Sequence, residues 1–192
     1  DKTAVNRLLL ASGLEINQMN LIRQQLSALK GGGLLRAAAP AALHAYILSD
    51  VIGDDFSAIA SGPTVADPTR YADAISILEI AGVWCRLPDA VRDHLSRGRD
   101  GQIADTPKPG DALFDGCVTA LVGGNGISVD AMRQACTAAG VACETYRETL
   151  CGEARDEAAR FVEFARRRRL SGAADRPLVL LAGGETTVTL SG

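Results

Sequence analysis

The sequence predicts an α/β fold with a mainly parallel sheet and flanking helices. Short apolar runs alternate along the chain with segments of helical periodicity, the pattern of strands joined by helical crossovers. The run Leu43–Leu48 ends in Ser49 and Asp50, as a buried strand does when it delivers polar residues to a site at its carboxyl end. Aromatic residues make up only 4% of the 192, so Ala, Leu, Val and Ile must build the core.

Residues 3–12 and 15–28 read as two helices separated by Gly13; in the second, Ile16, Met19, Ile22, Leu26 and Leu29 recur every three or four positions. Gly31–Gly33 interrupts, and LLRAAA resumes the helix as far as Pro40. After the buried strand 43–48 comes a loop from Val51 to Pro68, long enough to carry function. Tyr71, Ala74, Ile75, Leu78 and Ala81 form the stripe of the next helix, with Asp67 or Thr69 as its cap. A short helix near 88–97 leads into RGRDGQIADTPKPGD, which reads as a polar surface loop. The remaining chain predicts a strand at 117–122, a GGNG turn, a helix at 127–139, a strand at 141–146, a helix at 153–169 and a strand at 177–182. GGE then turns the chain into 186–190, which alternates like a hairpin partner. The chain starts inside a helical pattern and stops as that hairpin opens, so it reads as part of a longer polypeptide.

Composition excludes several function classes. A net charge of −3 and few aromatics offer nucleic acid neither a basic face nor stacking surfaces. No apolar run approaches the roughly 18–20 residues needed to cross a bilayer, and no basic-then-apolar start marks a signal peptide. Five scattered cysteines without a CxxC pair read as reduced thiols in a cytoplasmic protein. The two histidines, His44 and His94, have no ligand-spaced partners for zinc.

Candidate chemistry concentrates between Leu26 and Thr69. Lys30-Gly31-Gly32-Gly33 opens a helix, and its ammonium and free backbone N–H groups suit a carboxylate or phosphate; an exposed lysine at a glycine-rich helix break is the plainer reading. GxxxxGK[ST] is absent, so this is not a P-loop. Asp50 at a strand end is the first candidate for a metal ligand or a base, and Asp54 and Asp55 stand close enough in sequence to join it or to serve as turn residues. Ser61-Gly62-Pro63-Thr64 offers hydroxyls and N–H groups on a stiffened loop, and a tight turn is its alternative. Gly123-Gly124-Asn125-Gly126 fails the GxGxxG fingerprint and reads as a structural βα turn. Glu185, after two glycines and a buried strand, calls for a partner or a site.

LSALKGGGL, ILSDVIGDD, AIASGPTVADPT and LAGGETTVTL occur in this order, and together they closely resemble the glycerate kinase family that carries a MOFRL-type C-terminal domain. Some of its members are labelled hydroxypyruvate reductase. The resemblance runs over essentially the whole chain. It implies a partial Rossmann-like N-terminal domain over 1–176 and the start of a second, MOFRL-type α/β domain over 177–192. It further implies transfer of phosphate from ATP, with Mg²⁺, to D-glycerate. Lys30 and Asp50 would then be catalytic, and Gly31, Gly32, Gly33, Ser61, Gly62, Thr64 and Glu185 would bind substrate or phosphate. Asp50 and Asp54 would hold Mg²⁺. The mechanism so read needs Lys30 and Asp50 to share one pocket. A NAD(P)H-dependent hydroxypyruvate reductase and a non-catalytic anion-binding module are the alternatives, and a homo-oligomer is left open.

Overall fold

A computed structural model describes residues 2–146, 149–170 and 177–190. The chain divides into two compact units, Asp1–Tyr46 with Asp55–Ala120 and Ile47–Asp54 with Leu121–Gly192. The expected boundary between residues 176 and 177 borders a stretch outside the described residues.

The first unit is helical. Helices α1 (Lys2–Leu10), α2 (Ile16–Gln25), α3 (Gly33–Ala38), α4 (Tyr71–Ile80) and α5 (Asp89–Arg99) follow the predicted order. Val5 and Leu9 of α1, Met19 and Ile22 of α2 and Tyr71, Ala74, Ile75 and Leu78 of α4 are buried in one cluster with Val83, Leu87 and Leu95. Their three- and four-residue spacing puts them on one stripe of each helix, which is why the sequence pattern located these helices. Gly98 matters to the packing of α5, because a Cβ there would stand 2.4 Å from the Tyr71 ring. Trp84 packs partly buried against this cluster, as a cover to the core.

Two expectations about caps and loops are corrected. The first turn of α4 is closed by Asp73, whose carboxylate accepts from the Arg70 N–H at 2.8 Å. Asp67 is instead 1% exposed, inside the unit. The stretch after α5 is also more than a surface loop. Pro107 is fully buried and its carbonyl accepts from the Asp67 N–H at 3.0 Å, so this loop closes over Asp67.

Strand β1 (Leu43–Leu48) pairs with β2 (Cys117–Gly123). The bounds of β1 match expectation, but its burial does not: half-buried and exposed positions alternate, with Tyr46 70% and Leu48 76% exposed. A run of apolar letters therefore conceals a strand with one open face.

The second unit holds α6 (Asn125–Ala138), β3 (Ala142–Thr145), β4 (Leu150–Glu153), α7 (Ala154–Leu170), β5 (Leu178–Leu181) and β6 (Gly184–Thr187). β3 pairs with β5 in parallel, Ala142 opposite Leu178, and β4 pairs with β6 in parallel, Leu150 opposite Gly184. Tyr146, just beyond β3, packs edge-on against Phe161 of α7, with ring centroids 5.6 Å apart. Arg168 of α7 donates through Nε to the Glu144 carboxylate at 2.7 Å.

The predicted hairpin is absent. Only Ala182 and Gly183 separate β5 from β6, and the two strands do not pair with each other. β6 pairs instead with β4, in parallel, and the Leu150 N–H donates to the Gly183 carbonyl at 2.9 Å. Gly184 makes this pairing possible: its φ is +152°, and a Cβ would come 2.1 Å from the Leu150 carbonyl oxygen. β4, with a glycine and no apolar alternation, was invisible in the sequence and exists through its pairing with β6.

Candidate active site

At the carboxyl end of β1 the second unit encloses a cavity of about 700 Å³. Residues 48–54, Gly124–Gly126, Ser128, Thr149, Gly184 and Glu185 line it. A crevice beyond strand ends, beside the start of a helix, is where open α/β folds bind ligands.

Local hydrogen bonds shape this lining. Ser49 is buried, and its N–H donates to the Gly123 carbonyl at 2.8 Å, tying the segment after β1 to the end of β2. The Val51 N–H donates to Ser49 Oγ at 3.2 Å, and the Asp54 N–H to the Val51 carbonyl at 3.1 Å. That tight turn carries exposed Asp50 into the cavity wall and ends with Gly53 at φ +86° and Asp54 at φ +54°. Aspartate tolerates the left-handed conformation better than most residues.

Gly124, buried, precedes α6 and accepts from the Ser128 N–H at 3.0 Å and from Ser128 Oγ at 2.9 Å. A Cβ on Gly124 would stand 3.0 Å from Asp54 Oδ1, so the glycine lets the Asp54 carboxylate approach the amino end of α6. The first N–H groups of any helix have no acceptor within it and carry the positive end of the helix dipole. Asn125 is held by its side-chain amide, which donates to the Gly184 carbonyl at 3.3 Å. Glu185 lies exposed in β6 opposite Cys151, and its place in a strand replaces the turn expected for GGE.

Asn125, Gly126 and Ser128 are thus site-lining residues that sequence reasoning passed over, although the GGNG signal was visible. Thr149 had no signal at all. Among the described residues the lining includes the acids Asp50, Asp54 and Glu185 but no lysine, arginine or histidine. Among the described residues no three His, Cys, Asp or Glu side chains converge closely enough to hold a metal ion unaided.

The remaining predicted residues lie in the first unit. Lys30 Nζ donates to the Ala60 carbonyl at 2.7 Å and to Ser61 Oγ at 3.2 Å. Ser61, 2% exposed, donates a hydrogen bond through its own hydroxyl to Asn20 Oδ1 at 3.0 Å. The Gly31 N–H donates to the Ser61 carbonyl at 3.0 Å, the Gly32 N–H to the Gly62 carbonyl at 2.8 Å and the Gly33 N–H to the Lys30 carbonyl at 3.0 Å. The three amides expected to be free for an oxyanion therefore have acceptors within the chain. Those of Gly31 and Gly32 clamp the 58–62 loop, because the left-handed φ of +54° at Gly31 and +78° at Gly32 turns their N–H groups toward it. Thr64 is buried, 8% exposed. Lys30 lines a cavity of about 560 Å³ in the first unit, and Asp50 lines the cavity of the second.

Residues 1–96 match the family model described as "Domain of unknown function (DUF4147)". The chain belongs to the DUF4147 family. The match includes Lys30, Asp50, Asp54 and Ser61–Thr64 of this DUF4147 chain and stops before α6 and Glu185. The chain is 45% identical over 193 residues to a protein of Agrobacterium vitis named "Putative hydroxypyruvate reductase", covering 99% of the chain and 41% of that protein. It is 39% identical to the "Glycerate 2-kinase" of Pyrococcus horikoshii, over 96% of the chain and 41% of the relative. The crystal structure of a glycerate kinase from Thermotoga maritima superposes on it with a TM-score of 0.79 at 31% identity, covering 98% of this chain and 42% of that one. The DUF4147 chain therefore spans about two-fifths of the length of these relatives. Among the described residues no helix is long and apolar enough to cross a membrane.

Proposed function

We propose that this chain is part of a kinase that transfers phosphate from ATP to D-glycerate, and that the cavity of its second unit handles the phosphates. The observation that carries the reading is the meeting of the Asp50 and Asp54 carboxylates with the amino end of α6 in one cavity. The names and the 31–39% identity of the kinase relatives support it.

Phosphoryl transfer asks the protein chiefly to position phosphates and to neutralise charge. The amino end of α6 supplies N–H groups for a phosphate, with Gly126 leaving space in front of them. The acidic lining would repel a triphosphate arriving alone, so a divalent cation must accompany it. Mg²⁺ suits this donor set, since it takes one or two carboxylates and completes its shell with phosphate oxygens and water. Asp50 and Asp54 would hold it, and the ion would supply charge neutralisation on the transferring phosphoryl group. Asp50, which is exposed, would also accept the proton of the attacking hydroxyl. Glu185 would bond to ribose or substrate hydroxyls. Lys30, Gly31–Gly33, Ser61, Gly62 and Thr64 fix the loop that follows Asp54 and have no substrate contact in this proposal.

The test is ADP release on adding D-glycerate to the full-length protein with Mg·ATP. Asp50→Asn should lower turnover by about two to three orders of magnitude while the protein stays folded. Near-normal turnover in that folded variant removes Asp50 from the chemistry. The reductase name borne by the Agrobacterium relative sets the rival outcome: consumption of NAD(P)H on adding hydroxypyruvate, with no ADP formed.

A further inference from the structure

The cavity of the first unit has the opposite electrostatic character from the one just described. Lys2 and Asn6 of α1, Arg23 of α2, Lys30 and His94 of α5 supply its polar wall, and among the described residues no aspartate or glutamate lines it. Val5, Leu26, Ala90 and Val91 supply its apolar wall. In a protein of net charge −3, such a concentration of unopposed cations runs against the overall balance.

Nothing among the described residues neutralises them. The carboxylate ion pairs of the first unit involve Arg70, Arg92, Arg97, Arg99 and Lys108, and none involves Lys2, Arg23 or Lys30. Arg23 donates through Nε to Asn6 Oδ1 at 3.1 Å, which holds the guanidinium in place and leaves its terminal NH₂ groups available. His94 is fixed as well: Nε2 donates to the Gln25 carbonyl at 3.0 Å, and the ring stands edge-on to Tyr71 at 5.7 Å. Burial first, and then the charges of Arg23 and Lys2, hold the Lys30 ammonium below its ordinary pKa.

We infer that this cavity binds a small organic phosphate monoester, its dianionic head among Lys2, Arg23 and Lys30 and its short apolar body against Val5, Leu26 and Val91. Three cations more than offset the two charges of a dianion, and a guanidinium with free NH₂ groups favours a forked oxyanion. The volume, about 560 Å³, lies within the range of small-molecule sites. The inference stands apart from the phosphoryl-transfer reading, because none of these residues lines the acidic cavity.

Butyl phosphate and inorganic phosphate are the probes, titrated into the 192-residue chain by calorimetry and followed on the ring protons of its two histidines. Butyl phosphate should bind saturably, about tenfold or more tighter than inorganic phosphate because of its apolar chain. It should weaken as salt is raised. The His94 resonances should move while those of His44, outside the cavity, stay put. Arg23→Gln should lower affinity about tenfold or more, and Ala90→Trp, which fills the cavity from an exposed helix position, should abolish binding. Asp50→Asn should bind as the parent does. No saturable binding, equal binding of the two probes, or undiminished affinity in a folded Ala90→Trp variant would overturn the inference.

Discussion

In the first unit eleven apolar side chains form one buried cluster, whereas among the described residues of the second only Leu181 is a buried apolar side chain. The polar interiors differ in the same way. Asp67 in the first unit, 1% exposed, accepts from Gln25 Nε2 and Thr106 Oγ1 at 2.8 Å each, from the Thr69 N–H at 2.8 Å and from Thr69 Oγ1 at 2.6 Å. The carboxylates of the second unit's cavity are exposed or half-buried, and strand pairing and helix starts hold their backbone. One region pays for rigidity with a satisfied core; the other keeps its charged groups open to a ligand. A buried carboxylate bonded on both oxygens is a structural part, and an exposed one at a helix start is available for chemistry.

The sharpest way to break this contrast is core truncation. Leu78→Ala in the first unit, at a fully buried position, should destabilise by about 3–5 kcal/mol in urea denaturation. Leu181→Ala should lose about 2 kcal/mol or less; equal losses would mean that the second unit is as tightly cored as the first. Next in size are the carboxylates. Asp67→Ala leaves several buried donors without an acceptor and should destabilise by about 2–3 kcal/mol. Asp54→Gly relieves a positive φ and should leave stability within about 0.5 kcal/mol while removing the kinase activity proposed for the full-length protein, which calorimetry and the ADP assay together check.

The smallest effect concerns Lys30. Its ammonium is held below the ordinary value of 10.5, mainly by burial, so between the lowered native pKa and 10.5 the unfolded chain binds more protons than the native one. Stability contributed by this group is therefore reduced at lower pH and rises with pH through that window. Comparing the parent with Lys30→Met in urea melts across that pH range isolates the slope. A parent curve that runs parallel to that of the variant would show that Lys30 titrates as if solvated.

Legibility differed between the two units for reasons that can be traced to particular residues. Helix α4 was readable because Tyr71, Ala74, Ile75 and Leu78 carry its period, and the burial of all four follows. The bounds of β1 were readable too, but its exposed alternate positions were not, since LHAYIL has no polar letter to mark the open face beyond His44. β4 escaped because a four-residue strand containing glycine lacks a periodic signature, and β6 was read two residues late and with the wrong pairing. In the candidate site, Asp50, Asp54 and Glu185 were named from their types and places in sequence, and all three line one cavity. The Lys30–Gly33 segment looked like an anion cradle, yet its amides bond to the 58–62 loop and to Lys30 itself.

Local order along the chain, the helices of the first unit and the identity of the residues able to do chemistry follow from periodicity and composition, which act over a few neighbouring positions. Which of those residues share a cavity depends on contacts between segments far apart in sequence. Gly124 opposite Asp54, Gly184 against Leu150 and the carbonyls of Ser61 and Gly62 on the glycine amides are such contacts. Pairing energies of that kind are set by three-dimensional packing, and so only the folded chain separates an acidic cavity from a basic one.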